Sequence, residues 1–183
     1  MHRNQPKYAG WVRKLSGFWT ARRGSAAIEF AIIAPIFFSI VLGVIQVAIV
    51  WFAKTELQSA TESAARLVLT GQTSATAYNT QAKFLSALCA NLPVVFQCSQ
   101  VMINLAPQAS ISSVTTATPT LTYNSSGVVT NTFGYNPGTS GQIMVLQVLY
   151  QLPVVGAPLF NFSTQSNGSL LVTATVVFEN EPQ

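Results

Sequence analysis

The chain has 183 residues, of which only 8% are charged, with a mean hydropathy of +0.39 and a formal net charge of +4. It is too apolar for a disordered chain and long enough for one packed domain beside a membrane segment. The positive balance excludes little by itself, because six of the nine basic residues (Arg3, Lys7, Arg13, Lys14, Arg22, Arg23) lie in the first 23 positions while all five acids, each a glutamate, come later. So placed, the charge argues for topology and against nucleic-acid binding: a basic block ahead of the long apolar run puts the N-terminal side in the cytoplasm.

Residues 1–24 read as a basic cytoplasmic leader, with Tyr8, Trp11, Phe18 and Trp19 among the cations. Arg22-Arg23 does not sit in a twin-arginine export motif, and the apolar run that follows exceeds the 7–15 residues of a signal-peptide core. From Ala26 to Phe52 the only charge is Glu29. At about 1.5 Å per residue a helix over that run is about 40 Å long, enough to cross a hydrocarbon core of about 30 Å. The expectation is a transmembrane helix over 25–53, with a kink or loosening at Pro35, whose ring crowds the preceding turn. A carboxylate at the start of such a helix is costly in lipid and needs a partner or a purpose.

Helical periodicity continues past the apolar run. Phe52, Ala53, Leu57, Ala60, Ala64, Leu67 and Val68 recur at three- and four-residue steps, and Lys54, Glu56, Gln58, Glu62 and Arg66 mostly fill the other faces. Glu62 and Arg66 stand in the favourable i,i+4 order, and Gly71 is a natural stop. One helix over about 25–70 is expected, apolar in its first half and amphipathic in its second. Thr73 or Ser74 is placed to cap a second helix with Tyr78, Ala82, Leu85 and Leu88 on one face, ending before Pro93.

The period then changes to two. Val101, Ile103 and Leu105 alternate ahead of Pro107, Leu121 and Tyr123 precede the turn Asn124-Ser125-Ser126-Gly127, and strands are expected over 142–152 and 169–178. Residues 106–140, rich in Ser, Thr, Asn and Gly, read as loops and edge strands. The connection 153–168 carries Val154, Val155, Leu159, Phe160 and Phe162, which touch a membrane face or partner, or fold back under the sheet. Together these give an α+β fold: a long N-terminal transmembrane helix continuing as an amphipathic helix packed on an antiparallel sheet, with 54–183 as the extracytoplasmic domain. Cys89 and Cys98 are disulfide candidates on an oxidising side of the membrane, the alternative being two buried free thiols.

Catalytic chemistry has little to work with. There is no aspartate, the lone His2 is in the leader, and Lys83 is the only charge between Leu67 and Phe178. General acid–base catalysis needs titratable groups held together, and a metal site needs more ligands than two cysteines and one distant histidine. No phosphate-binding loop appears. The chain therefore reads as neither an enzyme nor a cofactor or metal carrier, with no small-molecule substrate.

Gly24-Ser25-Ala26-Ala27-Ile28-Glu29-Phe30 resembles the recognition sequence of type IV prepilins, where a prepilin peptidase cuts after the glycine. The wider run to Pro35, with Ala64-Ala65-Arg66 downstream, is similar to the TadE-like family of Flp/Tad tight-adherence pilus assembly proteins, and Leu171–Pro182 is similar to that family's ending. The resemblance implies a pseudopilin or minor pilin of the inner membrane, single-pass, with its N-terminus cytoplasmic and its C-terminal domain periplasmic, or incorporated in a surface pilus. It implies a cleavage site at Gly24 and Ser25, with Glu29 and Phe30 acting in processing and assembly. The partners it implies are the prepilin peptidase, other pilins and Tad assembly proteins, and membrane lipid. A domain of more than a hundred residues after the helix points to an accessory subunit rather than the bulk pilin. The competing expectation is an uncleaved single-pass anchor carrying a periplasmic binding or adhesion module.

Overall fold

The structure, a computed structural model, describes residues 25–70, 78–154 and 162–181. A helix of 45 residues, α1 (Ser25–Leu69), is followed by a short helix, α2 (Gln81–Ala90), and three strands, β1 (Val101–Gln108), β2 (Ile143–Pro153) and β3 (Ser169–Glu179). Two units divide the chain, Met1–Gly43 and Val44–Gln183. In the first, the described residues are all helical, and Pro35 interrupts neither side: the helix expected to loosen there is continuous. Its apolar side chains are exposed, Ile28, Phe30, Ile32, Ile33, Ile36, Phe37, Phe38 and Ile40 among them.

The second unit is built on an antiparallel meander, in the order β1-β2-β3. Val101 pairs with Tyr150 and Leu105 with Leu146, and on the other side Tyr150 pairs with Val172 and Leu146 with Val176. Because strand side chains alternate, this register puts Val101, Ile103 and Leu105, the even positions 144–152, and Val172 and Ala174 on one face. That face packs with Ala53, Leu57, Ala64, Ala65 and Val68 of α1 and with Phe84 and Leu88 of α2. The amphipathic half of α1 thus finds the cover its pattern demands. Thr61 joins the buried stripe because its hydroxyl donates to the Leu57 carbonyl at 2.6 Å, which meets the polar group's need within its own helix. Glu62 takes Gln58 as hydrogen-bond partner at 3.0 Å, one turn back, in place of the expected Arg66.

β2 is buried from Met144 to Tyr150 without alternation. The reason lies in residues 114–131, which return over the second sheet face with Leu121 buried. Gln147 donates from Nε2 to the Ala117 carbonyl at 3.2 Å, and Gln151 donates to the Tyr123 hydroxyl at 3.0 Å. This Ser/Thr-rich stretch is therefore partly a lid on the sheet, where only loops and edges are expected from composition. Pro107 lies within β1, tolerated because β1 is an edge strand. At the 124–128 turn, the Asn124 side chain accepts from the Ser126 and Val128 amides at 2.9 Å, and Gly127 takes φ +74°.

The second helix differs from expectation at its start. Thr80 caps it, accepting from the Lys83 amide at 3.4 Å, so Tyr78 precedes the helix and Ala82 is exposed. The buried pair is Phe84 and Leu88, one turn apart, a better apolar edge than Tyr78 and Ala82 supply. Thr73 and Ser74, expected as caps, lie outside the described residues, as do Gly71 and the Val155, Leu159 and Phe160 of the 153–168 connection. Val154 and Phe162 are half-buried. α1 ends with Thr70 donating amide and hydroxyl to the Arg66 carbonyl at 3.0 and 2.8 Å, and the Leu69 carbonyl accepts the Glu181 amide at 3.2 Å.

Candidate functional site: the apolar helix and its acidic turn

The residues singled out by sequence lie at the start of α1. Ser25 opens the described helix, and Glu29 follows four residues later, about 6 Å along the axis. Gly24 lies outside the described residues. Glu29 is exposed, and so are Ile28 (65%) and Phe30 (67%) beside it, so the carboxylate stands within an apolar surface and not over a polar one. Phe37 and Phe38 contact edge to face with ring centroids 5.6 Å apart, and the Ser39 hydroxyl donates to the Ile36 carbonyl at 2.8 Å, so neither of these polar or aromatic groups asks for a soluble partner. Ala26–Leu69 is the one described helix long and apolar enough to cross a membrane.

In the second unit the same helix carries Val44, Ile45, Val47, Trp51 and Phe52 exposed, and Lys54 is its first charge. Gln46, the only amide between Ala26 and Phe52, is buried at 2% exposure. Sequence reading passed over it, although a lone glutamine in so apolar a run is itself a signal of an inward face. Asn180 was missed as well: its Nδ2 donates to the Pro137 and Thr139 carbonyls at 2.9 and 3.2 Å and ties the end of β3 to the turn before β2.

Cys89, in the last turn of α2, and Cys98 are joined by a disulfide, with Cα atoms 6.0 Å apart. The clefts of this unit include one of about 460 Å³ along α1, with Lys54 and Glu62 in its lining. Another of about 450 Å³, over the sheet, is lined by Ser99, Gln100, Met102, Val128, Asn131 and Asn167 among others. Among the described residues no three His, Cys, Asp or Glu side chains lie together as metal ligands. Two tyrosines depart from ordinary titration: burial pushes the Tyr135 phenol up to about 12, and burial raises Tyr123, opposed by its hydrogen bond with Gln151. Tyr135 donates to the Tyr78 carbonyl at 2.7 Å and packs on Phe84 at 5.4 Å, a structural position in the core. The cleft over the sheet can bind by apolar contact and by hydroxyl and amide hydrogen bonds.

Residues 24–66 match the family model of TadE-like proteins. The match takes in Gly24, Ser25, Glu29 and Phe30 and stops within the amphipathic half of α1, so the sheet and the Leu171–Pro182 ending lie outside it. Neither a curated protein nor a solved structure matches the chain.

Proposed function

We propose that this chain, with its TadE-like segment at residues 24–66, is a minor pilin or pseudopilin of a Flp/Tad adhesion pilus. The observation that carries the reading is coincidence: the TadE-like segment contains the apolar run Ala26–Phe52, most of whose large side chains stand exposed and whose single charge, Glu29, falls at the fifth position from Ser25. α1 crosses the inner membrane with the basic leader in the cytoplasm, and the sheet domain is exported. A cut after Gly24 by the prepilin peptidase removes the basic anchor and leaves a positive amine on Ser25. In an assembled bundle the Glu29 carboxylate of one subunit pairs with that amine on its own or a neighbouring chain, so two charges leave lipid together. The sheet domain then acts by contacts with other pilins and Tad assembly proteins. The cleft over the sheet, lined by amides, hydroxyls and apolar groups, suits such contacts between proteins.

The intact mass of the membrane-extracted protein, with and without the cell's prepilin peptidase, tests this directly. The expected result is loss of residues 1–24 only where the peptidase is present. A full-length mass in both cells would overturn the pseudopilin mechanism and leave an uncleaved anchor for a periplasmic binding module.

A further inference from the structure

Between α2 and β1 the chain makes a short loop that is pinned at both ends and apolar at its tip. The Cys89–Cys98 bond closes it, and the Phe96 amide donates to the Pro93 carbonyl at 2.9 Å. Phe96 is buried with its ring 4.8 Å from that of Tyr150, whose hydroxyl accepts the Gln97 amide at 3.4 Å. Held in this way, the tip cannot turn its side chains inward: Val94 is 102% exposed and Val95 59%. A water-facing turn favours Gly, Asn, Asp or Ser, and two valines there are an uncompensated cost unless something apolar receives them.

The place of the loop says what receives them. Val95 and Ile49 of α1 line one cleft of about 440 Å³, together with Tyr150 and Leu152. Ile49 lies five residues before Lys54, about 7.5 Å down the helix by its rise per residue. Trp51 (68% exposed) and Phe52 (46%) stand between them, where aromatic side chains mark the headgroup level of a bilayer. Beside the helix, then, the loop sits on the lipid side of the first charge, and no charged side chain occurs between Lys83 and Glu179 to resist burial. We propose that residues 92–97 form a second membrane contact, seating Val94 and Val95 at the outer acyl boundary of the phospholipid bilayer that α1 crosses. The proposal rests on that membrane-crossing reading of α1. The contact fixes the tilt and rotation of the sheet domain over the bilayer, which a single helix leaves free.

A photoreactive phenylalanine analogue placed at Val94 in the full chain, reconstituted in phosphatidylethanolamine–phosphatidylglycerol vesicles, tests it without touching the disulfide. Two further positions serve as references: Ile36, exposed on α1, and Ile111, equally apolar and 80% exposed but just past the far end of β1. On illumination, phospholipid adducts by mass at 36 and 94, and none at 111, is the expected result. An adduct at 36 with none at 94, an adduct at 94 only to a second protein chain, or equal lipid labelling at 94 and 111 would each overturn the loop contact. No lipid at 36 would instead overturn the membrane reading of α1, and this proposal with it.

Discussion

Glu29 has Ile28, Phe30, Ile32 and Ile33 beside it on the helix, all exposed, so its charge stands in an apolar surface that is costly to carry into lipid. If the carboxylate serves assembly, Glu29→Leu leaves membrane insertion intact or improved and abolishes incorporation into sheared pili. Immunoblots of the membrane and sheared fractions read the two separately, and equal incorporation of the variant would remove the charge-pairing role. Tyr135 makes a second prediction at the same scale. An unfolded tyrosine ionises near 10, whereas the folded chain holds this proton to about 12. The folded state therefore binds more protons than the unfolded state between those values, so its stability is full below pH 10 and falls as pH rises toward 12. Tyr135→Phe should flatten that fall, seen in denaturant midpoints taken across pH 8–12, while lowering the neutral-pH baseline by about 1 kcal/mol through the lost bond to Tyr78.

Among the elements, α1 is the one whose sequence speaks most plainly. Ala53, Leu57, Ala64 and Val68 are spaced so that only one face can be buried, and they are buried. Leu57, at 0% exposure, is the largest side chain of that stripe, and Leu57→Ala should cost about 2–5 kcal/mol, measured as a shift in unfolding midpoint in detergent. The strands over 143–153 and 169–179 were equally legible, since long runs of β-branched and aliphatic residues bounded by turn residues admit little else. Less legible were elements set by contacts distant in sequence. The start of α2 at the Thr80 cap is one of these, since only the packing of Phe84 and Leu88 against the sheet reveals which face of the helix is buried. Residues 114–131 look like loop by composition, and only the register of Gln147 and Gln151 on β2 reveals that they cover the sheet. At the start of α1, Glu29 stands out in the sequence because a charge in an apolar run breaks pattern; the Asn180 clamp breaks no pattern and does not.

For the whole molecule, stability is concentrated in the Val44–Gln183 unit, where helix, sheet and loops share one core. The disulfide closes a loop with a sequence separation of 9 within it, and loop-closure entropy puts its contribution at about 3 kcal/mol. Reduction should lower the unfolding midpoint accordingly, and a Cys89→Ser/Cys98→Ser chain should show the same midpoint with and without reductant. If reduction leaves the wild-type midpoint unchanged, the bond adds nothing to the fold.

The hydrogen bond from the Glu181 amide to the Leu69 carbonyl sets an order of events during synthesis. α1 can form as soon as it leaves the ribosome, since its backbone hydrogen bonds are local, but its Leu69 carbonyl accepts from a residue that is translated only after all three strands. β2 likewise waits for β3 to pair along its full length. The sheet unit thus remains an open half-sheet beside a finished helix until β3 has emerged. A ribosome stalled ahead of residue 169 would hold the domain in that state, with the edge of β2 unpaired and available to whatever chaperone guards the exit side.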